Sequence, residues 1–273
     1  MLNILFKAAS QTLLTFGENA FGGRLGFIAT LHSWDQKLNA HFHLHCLVAG
    51  GVMSKDKKQW LPVKNDYLFN EEALSRVFRG KFMAHLKKAC QRGHIKIAED
   101  EFNRLKARLY EKPWIIDVRE PVKNPKHVLE YLARYTHRVA IANSRIKALE
   151  DGMVTFTIKN RKKGCTETLT ITAVEFIRRF LLHCLPNRFV RIRHYGFLAN
   201  RNRSANLTAI RQLMGLPNPS EAAIAAVEVM IEKLTGIDIT RCPCCKKGRM
   251  QPLMELPGYR GKKPFDFIRP PNV

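Results

Sequence analysis

Residues 24–48, RLGFIATLHSWDQKLNAHFHLHCLV, hold two runs rich in apolar and β-branched residues around a polar connection. The spacing predicts strands over 24–33 and 41–48, joined by 34–40. Side chains of a strand alternate between faces, so His41, His43 and His45 project to one side. Imidazoles at that spacing can share one metal ion. The plainer reading is a row of half-exposed strand residues, and it holds well for one histidine. Three on one face, with His32 on the preceding strand, weigh against it. Antiparallel pairing of the two runs brings His32 beside the His43/His45 pair as a third ligand, with Asp35, Gln36 and His41 as rivals. Imidazole suits zinc, copper, nickel or iron. Two histidines with an oxygen donor and a substrate phosphate suit manganese or tolerate magnesium. A shell that the protein leaves incomplete belongs to catalytic sites.

Around this pair the pattern is mixed. An amphipathic helix is expected over 2–16, and Gly50-Gly51 is expected to end the histidine strand, with 59–63 returning as a third. Asn70 caps a helix over 71–90 that opens on Glu71 and Glu72. A second helix over 99–112 stops at Pro113, and 114–118 (WIIDV) has the composition of a strand. Asn124-Pro125 opens a helix through Tyr135. Residues 153–158 and 168–172 form a hairpin with a basic tip at 159–164. A helix over 173–184 ends at Pro186, and 190–194 is a last strand. Hairpins rather than strand–helix–strand crossovers predict an α+β fold.

The 273 residues carry 46 Lys plus Arg against 23 Asp plus Glu, a formal net charge of +23 with pI near 10.0. Solubility asks for only about 2–8 charges in a small domain, so the excess points to a polyanion partner, with nucleic acid ahead of an anionic membrane surface. The excess is spread along the chain and is not a basic tail. No apolar run approaches the roughly 18 residues of a membrane span. Seven cysteines, at 46, 90, 165, 184, 242, 244 and 245, make no disulfide framework and fit a reducing cytoplasm.

Tyr131 and Tyr135 lie four apart on a predicted helix and so share a face. Two aromatics at that spacing ordinarily pack in a core. Here Arg134, His137 and Arg138 stand beside them, and cations stabilise the phenolate that makes tyrosine a nucleophile. An open histidine metal site, a tyrosine pair flanked by cations and a basic chain each have a role in breaking DNA by transesterification. Between Lys159 and Arg203 stand eleven basic and two acidic residues interleaved with aromatics. Arg161, Lys162 and Lys163 at the hairpin tip are the better candidates for DNA contacts, with Arg191 and Arg193 further along the same run.

The wording of four ordered blocks carries a resemblance: TLHSW at 30–34, HFHLHCLVAGG at 41–51, YLARYTHRVAIAN at 131–143 and EFIRRFLLHCLPNRFVRIRHYGFLANR at 175–201. They resemble the two-tyrosine HUH rolling-circle transposases of bacterial insertion sequences, the IS-ninety-one type, from near Leu2 to about residue 250. The resemblance implies an HUH-endonuclease-like antiparallel sheet flanked by helices, with a helical C-terminal extension. It implies a magnesium or manganese ion on His43 and His45, and single-stranded DNA at transposon ends and target as substrate. It makes Tyr131 or Tyr135 the first 5′-phosphotyrosine, and the other tyrosine takes the second strand. The expected activity is nicking and strand transfer in a bacterial cytoplasm, on the nucleoid, with no membrane partner. Replication initiators and conjugative relaxases use the same elements, and an inactive DNA-binding remnant is the non-enzymatic rival.

The layout expected is a helix over 1–20, a catalytic domain over 21–198, a helical region with a cysteine knuckle over 199–256 and an irregular tail over 257–273. Members of the resembled group carry a Cys-rich zinc domain ahead of the segment matching 2–16, and the chain opens at Met1 without one, as a truncated copy or fragment does. Cys242 and Cys245 form a C-x-x-C knuckle that can hold zinc, but a tetrahedral site needs two more ligands and the sequence has no second pair. Zinc is therefore not expected there.

Overall fold

The computed structural model describes residues 1–63, 68–122, 124, 126–128, 140–160, 163–217, 229, 232 and 236–250. Two compact units divide the chain, Met1–Asn218 and Pro219–Val273. The first holds the expected α+β architecture, and every strand pair among its described residues is antiparallel.

Strands β1 (Gly23–Trp34) and β2 (Ala40–Ser54) form the centre of a four-stranded sheet ordered β3-β2-β1-β7, where β3 is Trp60–Pro62 and β7 is Ile192–Gly196. Leu25, Phe27, Ala29 and Leu31 of β1 are at most 1% exposed. They pack with Phe6 of α1 (Leu2–Phe21) and Leu74 of α2 (Glu71–Gln91). Burying each of the larger three contributes about 2–3 kcal/mol by transfer. Alternation then turns Thr30 and His32 to the opposite face.

Asn70 caps α2 as its residue type predicts, its side chain accepting from the Ala73 amide at 2.9 Å. Helix α3 (Glu99–Glu111) follows and ends before Pro113. Asn124 likewise accepts from the Lys126 amide at 2.8 Å, and the Val128 amide donates to the Asn124 carbonyl at 3.2 Å, the opening turn expected there.

Two expectations fail for identifiable reasons. Strand β2 runs through Gly50-Gly51 because Gly51 lies under the Trp60 ring, where a Cβ would sit 2.3 Å from a ring carbon. The 114–118 segment forms no strand. It lies extended along α2, whose Ser75 hydroxyl donates to the Trp114 carbonyl (2.6 Å) and whose Glu71 carboxylate accepts from the Val118 amide (2.6 Å). Side chains of α2 thus replace a strand partner, while Trp114 packs against Phe78 and Phe82.

A second sheet, ordered β4-β5-β6, comprises Ile146–Glu150, Met153–Asn160 and Cys165–Thr172. Strand β4 is absent from the reading of the sequence, although Asp151-Gly152 is a hairpin signal. Asp151 (φ 48°) and Gly152 (φ 71°) are both left-handed, as a type I′ turn between Glu150 and Met153 requires. Helix α4 (Ala173–Leu181), capped by Thr172, packs Phe176 and Phe180 onto Val154, Phe156 and Ile158 of this sheet. Leu38, from the β1–β2 connection, is buried in the same cluster. Helix α5 (Arg203–Leu213) closes the described part of the unit.

Gly196 ends β7 at φ 65°, and a Cβ there would lie 1.5 Å from the Leu25 carbonyl oxygen. Gly215 has the same φ of 65° with nothing within 4 Å. Gly196→Ala should therefore lower unfolding free energy in urea by about 3 kcal/mol, against about 1 kcal/mol for Gly215→Ala, which carries the backbone strain alone. Equal losses would show that the close approach at Gly196 is not a constraint.

Candidate metal centre

His32 and His43 face each other across the β1/β2 ladder, and His45 lies opposite Thr30, one side-chain repeat along. The antiparallel register therefore stacks three imidazoles on the sheet face turned away from α1 and α2. His32 Nδ1 lies 3.3 Å from His43 Nε2, which lies 3.1 Å from His45 Nε2. One ligand atom from each of the three falls within 4.8 Å of the others, and no other such group of three occurs among the described residues. Nitrogens bound to one ion at about 2.1 Å lie roughly 3.0–3.4 Å apart, so the set fits a single ion. Three imidazoles without a carboxylate suit zinc, copper, nickel or iron, and manganese or magnesium would draw its oxygen donors from water and a substrate phosphate.

His43 Nδ1–H donates to the His41 carbonyl at 2.8 Å, which leaves the Nε2 lone pair aimed into the cluster. His32 packs edge-on against Trp34, with ring centroids 4.0 Å apart. Burial, then the charges of His43, His45 and Arg191, pushes the His32 pKa down to about 3. Burial and His43 bring His45 to about 4, and burial also lowers His43. All three rings are thus neutral near pH 7, the form that binds metal.

Of the rivals for third ligand, Asp35 is occupied within the connection. One carboxylate oxygen accepts from the Lys37 and Asn39 amides and the other from the Asn39 side chain, each at 2.8 Å. Gln36 Oε1 accepts from the Lys159 amide at 3.3 Å. His41 is exposed, and its carbonyl rather than its ring serves the cluster.

Three residues that sequence reasoning did not single out hold this connection. Arg145 donates to the Gln36 carbonyl (2.6 Å), Arg179 to that of Lys37 (3.0 Å), and His183 Nε2 to that of Leu38 (3.0 Å). Glu175, pulled down to about 2 by Arg178 and then Arg179, fixes the Arg179 guanidinium at 2.7 Å. His183 also packs on Trp34, with ring centroids 5.9 Å apart. Nothing in their spacing marks Arg145, Arg179 and His183 as a group, because they converge only through the second sheet.

Arg191 adds its charge to the His32 environment, and its carbonyl accepts from the Leu31 amide at 3.0 Å. Arg193 lies on the helix side, over the Phe6 ring at 4.0 Å and donating to Asn3 at 2.6 Å, away from the histidines. His194, opposite Ile28, is on the histidine face. Lys163 sits exposed at the hairpin tip, paired with Glu167 at 3.1 Å. Tyr131, Arg134, Tyr135, His137, Arg138, Arg161 and Lys162 lie outside the described residues. At Cys245, the Gly248 and Lys247 amides, in that order, pull the thiol below its ordinary range. No helix among the described residues is long and apolar enough to cross a membrane.

The chain is thus strongly basic, α+β, and sets three imidazoles that could hold one metal ion on a face of its antiparallel sheet. Residues 26–205 match the family Y2_Tnp, described as "Putative transposase", and the chain belongs to that family. It is 40% identical over 272 residues to "Putative transposase y4qJ" of Sinorhizobium fredii (strain NBRC 101917 / NGR234), covering 94% of this chain and 68% of the relative. It is 24% identical over 259 residues to "Transposase for insertion sequence element IS801" of Pseudomonas savastanoi pv. phaseolicola, covering 90% of this chain and 60% of that one. No solved structure matches the chain.

Because the folded chain holds His32 and His45 far below the ordinary histidine pKa of 6.5, the unfolded chain binds more protons as pH falls. The stability is fully present above about pH 6.5 and is lost progressively below it. The metal-free protein should lose several degrees of Tm between pH 7 and pH 5, and His32→Gln should flatten that dependence. An unchanged slope in the variant would contradict the assigned burial.

Proposed function

We propose that the chain is a DNA transposase that nicks and transfers single-stranded DNA through a 5′-phosphotyrosine, with a divalent ion held by His32, His43 and His45. The observation that carries this reading is the convergence of three neutral imidazole nitrogens on one sheet face, in a chain of net charge +23 that belongs to a transposase family. When bound, the ion, manganese ahead of magnesium, polarises the scissile phosphate.

The residues of the chain do the rest. The His41 carbonyl keeps the His43 Nδ1 proton and so directs Nε2 at the ion. Tyr131 or Tyr135 loses its phenolic proton and its oxygen attacks phosphorus, forming the tyrosine–phosphate bond as the 3′-oxygen leaves and takes up a proton. One phosphodiester replaces another, so the bond energy is retained for joining. The second tyrosine takes the second strand. Arg134, His137 and Arg138 offset phenolate charge and bind phosphate. Arg191, with Arg161, Lys162 and Lys163 in the sequence between β5 and β6, holds the strand by its backbone. Arg193, stacked on Phe6, contributes mainly by holding β7 on α1.

With labelled single-stranded DNA containing an element end and manganese, the protein should form a covalent adduct that survives denaturation. Tyr131→Phe with Tyr135→Phe should abolish it, and His43→Ala should reduce it at least about 100-fold. An adduct that persists in the double tyrosine variant would refute the nucleophile assignment. Its absence in the wild type across manganese, magnesium and zinc would leave a DNA-binding protein without this chemistry.

A further inference from the structure

The histidine centre leaves unused the cysteines of the second unit. Residues 240–250 double back on themselves there. Arg241 and Arg249 pair as an antiparallel bridge, and the Cys242 amide donates to the Gly248 carbonyl at 2.8 Å. The Lys246 amide donates to the Cys242 carbonyl at 3.0 Å, and Lys246 takes the left-handed φ of 54° that turns the chain. That turn aims the Gly248 amide at Cys245 Sγ, 3.3 Å away, and the neighbouring Cys242 side chain adds to the pull of the amides on the Cys245 thiol. Gly248 lies against both cysteines, its Cβ position 3.5 Å from Cys245 Sγ and 3.8 Å from Cys242 Cβ.

Backbone amides directed at sulfur stabilise a thiolate. A turn that brings two sulfurs together and points amides at one of them is organised for a soft cation. Arg241, Lys246, Lys247 and Arg249 flank the pair in sequence, with Arg241 ion-paired to Asp238 at 3.4 Å. The sequence argued against zinc because no second C-x-x-C exists. That objection concerns the completeness of the shell, whereas the local geometry concerns whether the first two ligands are organised.

We propose that Cys242 and Cys245 form a second metal site, taking zinc through both thiolates. Binding releases one proton from each thiol. Among the described residues no third histidine, cysteine or carboxylate lies close enough to share the ion, so Cys244 is not a ligand. The remaining positions belong to water or to the same pair from a second copy of the chain. The ion closes the turn by coordination, adding to the backbone hydrogen bonds that already fold it back.

The test uses the full reduced chain, stripped of metal and titrated with cobalt(II) and with zinc. Cobalt should produce a thiolate-to-metal charge-transfer band, which imidazole ligands do not give. The band should persist in His43→Ala and in Cys244→Ser, and vanish in Cys242→Ser with Cys245→Ser. In the wild type, zinc should slow alkylation of Cys242 and Cys245 about tenfold while Cys165 and Cys244 react as before. One sulfur-bound ion per chain assigns the open positions to water, and one per two chains assigns them to a second knuckle. Absence of the band, its survival in the double serine variant, or a Cys242–Cys245 disulfide in protein kept under thiol reductant would overturn the site.

Discussion

Three successive carbonyls in the β1–β2 connection, those of Gln36, Lys37 and Leu38, are held by Arg145, Arg179 and His183. The histidine centre depends on this clamp, because the connection joins the strand that carries His32 to the strand that carries His43 and His45. Hydrogen bonds from the two guanidinium donors are worth about 1.5–3 kcal/mol each. They offset the cost of a connection in which Leu38, buried and non-glycine, adopts φ 62°. The same contacts join the second sheet and α4 to the first sheet. A slip of one residue between β1 and β2 would turn His43 and His45 to the opposite face from His32. The clamp, the Asp35 turn and the helix-side packing of Leu25, Phe27 and Leu31 all resist that slip.

The electrostatic arrangement follows from the same packing. Half-burial under Trp34 and the neighbouring rings keeps the imidazoles unprotonated, so the centre carries little positive charge of its own. The first fifty residues hold only three basic and two acidic residues, while the excess charge lies in the rest of the chain. On the proposed reading, the ion supplies the local field that polarises phosphate, and the distributed cations hold the strand on either side. A strand-transfer protein needs to guide DNA along a path, and spread charge does that better than a single patch.

Much of the fold was legible because the relevant signals are local. Runs rich in apolar and β-branched residues marked β1 and β2, Asn70 marked the start of α2, and the paired β-branched runs marked β5 and β6. The exceptions have tertiary causes. The 114–118 segment has strand composition but finds its partners in Ser75 and Glu71 of a helix. Gly50-Gly51 looks like a terminator until the Trp60 ring occupies the space that side chains would need. Strand β4 was missed although Asp151-Gly152 announced its turn, because the strand itself is only five residues long and weakly patterned.

The histidine alternation, the basic excess and the C-x-x-C spacing are properties of the chain alone, since alternation, charge and short loops require no knowledge of distant residues. Those properties assigned His43 and His45 to one face and pointed to a phosphate-bearing partner. They left the third ligand open among four residues. Only the tertiary structure brought His32 to the His43/His45 pair, by setting the register across β1 and β2, while it engaged Asp35 within the connection and Gln36 with the Lys159 amide of β5. It likewise gave Arg193 a packing role that its place in a basic run does not announce, by turning it onto Phe6 on the helix side of the sheet. Register and face depend on which remote surfaces must be buried, and that information is distributed over the whole chain.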